Sequence, residues 1–130
     1  PIADPDMVFI AEVDRQLAGF SLTLPNYNEV LKVMQGKVNP LTVIKALKAR
    51  KHITSVRVIT MGIIKEFQGK GIDTLLYYYT FKNGLPKGYY RSEFSWILEN
   101  NIPMINTAEK LGAEIYKTYR LYDKAITNKN

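Results

Sequence analysis

Apolar and polar positions alternate through MVFIAEVDRQLAGFSLTL, residues 7–24. Val8, Ile10 and Glu12 fall on one side and Phe9, Ala11 and Val13 on the other, with Phe20, Leu22 and Leu24 resuming the period after Asp14–Gln16. A period of two predicts a pair of strands joined in a hairpin. Pro25-Asn26-Tyr27-Asn28 breaks the pattern and offers Asn28 as a helix N-cap. From residue 29 to 52 the period becomes helical but interrupted. Val30, Leu31, Val33 and Met34 make one short face, Gly36 and Asn39-Pro40 stop it, and Val43, Ile44 and Leu47 begin another. Residues 53–64, ITSVRVITMGII, are dominated by β-branched side chains and predict a largely buried strand. Gly62 within it predicts a bulge or a close approach to the backbone.

A helix is predicted over 72–83, with Ile72, Leu75, Leu76 and Tyr79 on its buried face. Tyr77 or Tyr78 is then left to be exposed or to line a site. Residues 89–99 predict another strand, with Trp96 in the core beside Phe94 and Leu98. A helix begins near Pro103 and ends at Gly112, and residues 114–126 alternate as a last strand. The resulting order is β-β-(helical insert)-β-α-β-α-β, an α/β (α+β) chain with a mixed, largely antiparallel sheet flanked by helices.

At 130 residues the chain suits one domain over 1–130, with residues 26–52 as a basic helical insert. It opens on PIADPDM rather than methionine, which reads as an excerpt of a longer protein. With no cysteine and a single histidine, His52, a thiolate nucleophile and a Cys/His metal site are excluded, so no metal is expected. No window is long and apolar enough to span a bilayer, and no signal-peptide pattern is present, so a cytoplasmic protein is expected. The oligomeric state is not legible. Net charge is +6, and it is unevenly placed: residues 1–31 carry −4, residues 32–91 carry +10, and the remainder is balanced. A basic middle suits an anionic partner, a phosphorylated small molecule or a nucleic acid, although any one lysine can equally solvate a helix face.

Within that basic middle stands FQGKGIDTLL, residues 67–76, joining a buried strand to an amphipathic helix. The first amides of a helix lack intrahelical partners and meet the positive end of its dipole, and glycines let phosphate oxygens reach them. Gln68, Gly69, Lys70, Gly71 and Ile72 would supply amides, with Lys70 adding charge. A Walker-type loop is excluded because GK[ST] is absent, and a dinucleotide fingerprint would need glycine at Thr74.

The loop resembles the [QR]-x-x-G-x-[GA] signature of the GNAT superfamily of acyl-CoA-dependent N-acyltransferases. Gln68 and Gly71 match, and Asp73 stands where glycine or alanine is usual. A second pattern of that family, N-x-x-A-x-x-x-Y-x-K-x-G, is similar to NIPMINTAEKLG, which matches at Asn101, Lys110 and Gly112 and departs at Met104 and Ala108. The resemblance covers residues 7–126, without the first strand and first helices of a usual GNAT domain. It implies that the pyrophosphate of acetyl-CoA or another acyl-CoA sits on the amides of residues 68–73. It implies as well that the pantetheine arm pairs with the strand at Met61 and Ile63, and that Asn101 lies beside it. Asp73 would place a carboxylate near that pyrophosphate unless it points away. Ala108 replaces a tyrosine that in many members protonates the leaving thiolate.

Direct attack of an amine on the thioester needs a proton acceptor. Glu93 is the first candidate base and Glu99 the second, each against an ordinary ion pair. Tyr119 and Tyr116 are candidate acids, against packing with an exposed hydroxyl. The function expected is transfer of an acetyl group from acetyl-CoA to an amine. The alternatives are a non-catalytic GNAT-like scaffold and, behind it, a nucleic-acid-binding domain. The acceptor is not legible in the chain.

Overall fold

The computed structural model describes residues 3–124. Strand β1 (Val8–Val13) and strand β2 (Gln16–Pro25) form the expected hairpin. It closes through Asp14 and Arg15, whose φ angles of 50° and 66° give the type I′ turn that matches strand twist. Two short helices follow, α1 (Asn28–Met34) and α2 (Pro40–Ala49). Asn28 is the first residue of α1 rather than its cap, and its amide donates instead to the Asn26 side chain. In α2, Asn39 and Thr42 cap each other reciprocally, and Pro40 fits the first turn because its missing N–H would have had no partner.

Strand β3 (Ser55–Ile63), helix α3 (Ile72–Gly84), strand β4 (Arg91–Phe94) and helix α4 (Ile102–Lys110) complete the order. The four strands lie in the order β1-β2-β3-β4, antiparallel except for the parallel pair β3–β4. Helix α3 packs on one face of the sheet. There Phe67, Ile72 and Leu76 bury against Ala18, with Phe9, Val13, Met61 and Ile63 around them. Ile10, 70% exposed, and Phe20 mark apolar positions that remain open to solvent. No helix among the described residues is long and apolar enough to cross a membrane.

The structure differs from the sequence expectations in four places. The strand expected over 89–99 stops at Phe94, and Trp96 is 84% exposed with a φ of 63°, not a core residue. Residues 114–124 form no strand and are mostly exposed, because alternation has no effect without a neighbouring edge to pair with; residues 125 and 126 lie outside the described range. In α3 the buried stripe is Ile72, Leu76, Tyr77 and Thr80, whereas Leu75 and Tyr79 are exposed. Three consecutive tyrosines fit either phase, and in the fold Tyr77 packs on Phe94 while Leu76 joins the Ala18 cluster. Finally, Gly62 is not the bulge.

The extra residue is Ile59, since Leu22 faces Thr60 while Thr23 faces Val58. Gly62 lies opposite Phe20, where a Cβ would come within 2.8 Å of the phenyl ring. Gly62→Ala is therefore expected to cost roughly 1–3 kcal/mol, the usual range for overpacking. Phe20→Leu should recover part of that loss, and urea denaturation of both single variants and the double variant measures the coupling.

Candidate functional site

Strands β3 and β4 stay together for four residue pairs, Ser55–Arg91 to Val58–Phe94, and then part. The last links are the Ser95 amide and hydroxyl, which both donate to the Val58 carbonyl at 3.3 and 3.1 Å. On β3, the bulge at Ile59 adds twist at the same point. Val56 and Val58 are buried before it, and Met61 and Ile63 pack on the α3 cluster after it. Between the separated strands lies a groove of about 180 Å³, lined by Thr60, Met61, Trp96, Leu98, Asn101 and Met104 among others.

One wall of this groove is a backbone edge. The Ile64 amide donates to Ala18 on β2, so alternation of the ladder turns the Met61 and Ile63 N–H groups to the other side, away from β2. The Ile63 carbonyl obeys the same rule and accepts from the Gln68 side chain at 3.1 Å. That bond ties the glycine loop back to the strand.

In the loop itself, Gly69 and Gly71 have φ angles of 72° and 79°, a left-handed conformation that favours glycine. Gly71 is the N-cap of α3 without a side-chain cap, so the amides at the start of the helix are left for an outside acceptor. The Gln68 amide is already engaged with the Lys65 carbonyl at 3.3 Å, so it does not join them. Lys70 stands over the loop's own Phe67 ring, its Nζ 5.0 Å from the ring centre.

Asp73, the departure from the GNAT signature, is bound: the Thr107 hydroxyl donates to its Oδ2 at 2.9 Å. This bond fastens α4 to the first turn of α3. Asn101 caps α4 through its side-chain oxygen, which accepts from the Met104 amide at 3.4 Å, while also lining the groove. Ala108 is buried, so the second departure serves packing on α4.

The acid and base candidates stand elsewhere. Glu93 pairs with Arg57 at 3.1 Å, directly across β3–β4. The nearby Glu93 carboxylate, first as a hydrogen-bond acceptor, raises the Tyr116 phenol above its ordinary pKa, although Tyr116 itself is exposed. Glu93 and Arg57 thus form a half-buried ion pair, with the Tyr116 phenol nearby. Glu99 meets Arg120 at 3.9 Å in solvent, and Tyr119 is 73% exposed. None of these side chains lines the groove. A larger hollow of about 260 Å³, beside Asp4, Tyr27 and Tyr89, lies at the opposite end of β3 from the glycine loop.

Solved structures share this architecture. Aminoglycoside N-acetyltransferase AAC(6')-Iy in complex with CoA is similar with a TM-score of 0.62 over 92% of this chain and 75% of that one, at 19% identity. Aminoglycoside 6'-N-acetyltransferase AAC(6')-IG from Acinetobacter haemolyticus gives 0.59 over 92% and 70%, at 12% identity. Ribosomal-protein-alanine N-acetyltransferase from Brucella melitensis gives 0.55 over 88% and 68%, at 15% identity. The chain has the GNAT fold. No family model matches the chain.

In sequence, the chain is 36% identical over 131 aligned positions to a bacterial ceramide synthase of Caulobacter vibrioides, covering 96% of this chain and 34% of that protein. It is 37% identical over 127 positions to protein YghO of Escherichia coli, covering 93% and 33%. It therefore spans about a third of the length of these curated relatives.

Sequence reasoning missed Ile59, Trp96 and Thr107. Thr107 had only a weak signal, as a hydroxyl one helical turn beyond Pro103. Nothing local marks Ile59 as a bulge, because the bulge is defined only by the partner strand.

Proposed function

We propose that this chain binds an acyl-CoA and passes the acyl group to an amine. The observation that carries it is two sets of backbone donors turned to one side, Met61 and Ile63 on the splayed edge and the glycine-loop amides at the start of α3, with the paired amides of Ile64, Phe67 and Gln68 between them. The pyrophosphate belongs on the amides of Gly69, Lys70, Gly71, Ile72 and Asp73, with the Lys70 charge beside it. Gln68 contributes as the brace between loop and strand. The pantetheine arm lies along Met61 and Ile63 as an added strand, with Asn101 and Met104 on its far side. In the reaction the amine nitrogen attacks the thioester carbon, the C–S bond breaks, and CoA leaves as a thiolate that takes up a proton. A β3 amide facing the groove stabilises the oxyanion that forms.

Among the described residues, the side chains lining the groove carry no ionisable group, and the reading supported best is catalysis by positioning and this N–H. Glu93→Gln and Tyr119→Phe are accordingly expected to change kcat by less than about tenfold, whereas removal of a general base costs about 10²–10⁴-fold. The pH profile should follow deprotonation of the acceptor amine and shift when an amine of different pKa is used. A hundredfold loss in Glu93→Gln would instead make Glu93 the base.

For the acceptor, the neighbours offer an aminoglycoside and, through the Caulobacter relative, the amine of a long-chain amino alcohol that becomes a ceramide. The apolar rim formed by Trp96, Leu98 and Ile59 favours the second. Release of CoA thiol is to be followed with acetyl-CoA and a long-chain acyl-CoA, each against sphinganine and a hydrophilic amine. Amine-dependent release with formation of the amide supports the proposal. Saturable CoA binding without release under any pairing favours the non-catalytic scaffold.

A further inference from the structure

The α1–α2 hairpin projects from the sheet with features the acyl-transfer site does not use. Its base is fixed: the Glu29 carboxylate accepts from the Thr54 and Ser55 amides, and Asn26 donates to the Ser55 hydroxyl. Beyond the base, α2 buries none of its residues. Thr42, Ala46 and Ala49, the small side of the helix, are partly covered, while Leu41, Ile44 and Leu47 are 67%, 54% and 61% exposed. Val38, at the tip between the helices, is 83% exposed, and Leu31 on α1 is 58% exposed.

The charges around these residues are of one sign. Residues 30–52 contain five lysines and one arginine and no acid. At 100° per residue, Leu41, Val43, Ile44 and Leu47 span one side of α2, with Lys45 at its margin and Lys48 within it, between Ile44 and Leu41. A helix solvated by its lysines has no need of large aliphatic side chains on the same side. Exposed leucine and isoleucine rimmed by lysines is the arrangement of helices lying in a lipid headgroup region, where long cationic side chains snorkel back to the phosphates.

We propose that the α1–α2 hairpin docks this protein on an anionic phospholipid surface, with Val38, Leu41, Ile44 and Leu47 entering the headgroup boundary. Lys45, Lys48 and Lys51 lie against lipid phosphates. The charge run selects this occupant over a second copy of the chain, which would bring two strongly cationic faces together. The proposal does not rest on the acyl-transfer function, and it would hold for a scaffold equally.

The test is cosedimentation of the full chain with phosphatidylcholine vesicles, with and without phosphatidylglycerol, at low and high salt. Partitioning that needs the anionic lipid and weakens with salt is expected. Two surface variants should each lower it by about tenfold or more, Ile44→Ser/Leu47→Ser by removing insertion and Lys45→Gln/Lys48→Gln by removing attraction. Circular dichroism should show both folded as the parent. Absence of partitioning by the parent, or equal partitioning by all three proteins, overturns the proposal. So does a dimer in sedimentation velocity that Ile44→Ser/Leu47→Ser disperses without altering vesicle binding.

Discussion

Gly71→Glu abolishes saturable binding of CoA while Gly71→Asn retains most of it: that is the result expected from titration calorimetry. Gly71 caps α3 at a φ of 79°, and a Cβ there would meet no atom within 4 Å. The cost of a side chain is thus conformational, roughly 1–2 kcal/mol for an ordinary L-residue and less for asparagine. Both variants should fold. Only glutamate adds a negative charge where the helix dipole and free amides are to receive a pyrophosphate, and a loss of affinity of at least about a hundredfold corresponds to about 2.7 kcal/mol. Asp73 escapes that conflict because Thr107 holds its carboxylate. Unchanged CoA affinity in Gly71→Glu would remove the pyrophosphate from this loop, and the proposed site with it.

The second large effect is at Tyr77, where two substitutions should move stability in opposite directions. The ring is 1% exposed and stacks edge-on against Phe94, with centroids 4.9 Å apart. Its hydroxyl is buried and has no hydrogen-bond partner among the described residues. Tyr77→Ala removes the ring that joins α3 to β4 and should cost roughly 3–5 kcal/mol, as for other large aromatic truncations. Tyr77→Phe keeps the packing and removes an unsatisfied polar group, so a gain of about 1 kcal/mol is expected in urea denaturation.

The same phenol makes stability depend on alkaline pH. Burial, aided by the nearby Asp73 charge, pushes its pKa up from 10.0 to about 12. The folded state therefore keeps a proton that the unfolded state gives up. The contribution is complete below pH 10 and is lost as the pH rises toward 12. Tyr77→Phe should flatten this part of the stability profile, and a loss of stability in that variant would show that the hydroxyl has a partner.

How much of this protein was legible in its residues depends on the range over which each feature is decided. The hairpin from Val8 to Pro25, the strand from Ser55 to Ile63 and the loop and helix from Gly69 to Gly84 follow from alternation, β-branching and glycine placement. Each of these signals acts within a few residues, so the sequence alone sufficed for them and for the GNAT-like order of elements as far as α4. The tertiary structure decided the rest. The bulge at Ile59 exists only against β2, and β4 ends at Phe94 only because β3 diverges from it. That divergence moved Trp96 from an expected core position to the rim of the groove, and exposed backbone donors that no side chain advertises. Glu93 became half of an ion pair because parallel register sets it opposite Arg57. Local periodicity determines which residues can form a strand or a helix; the partner strand determines where the strand bends, where it stops, and which of its amides are left free.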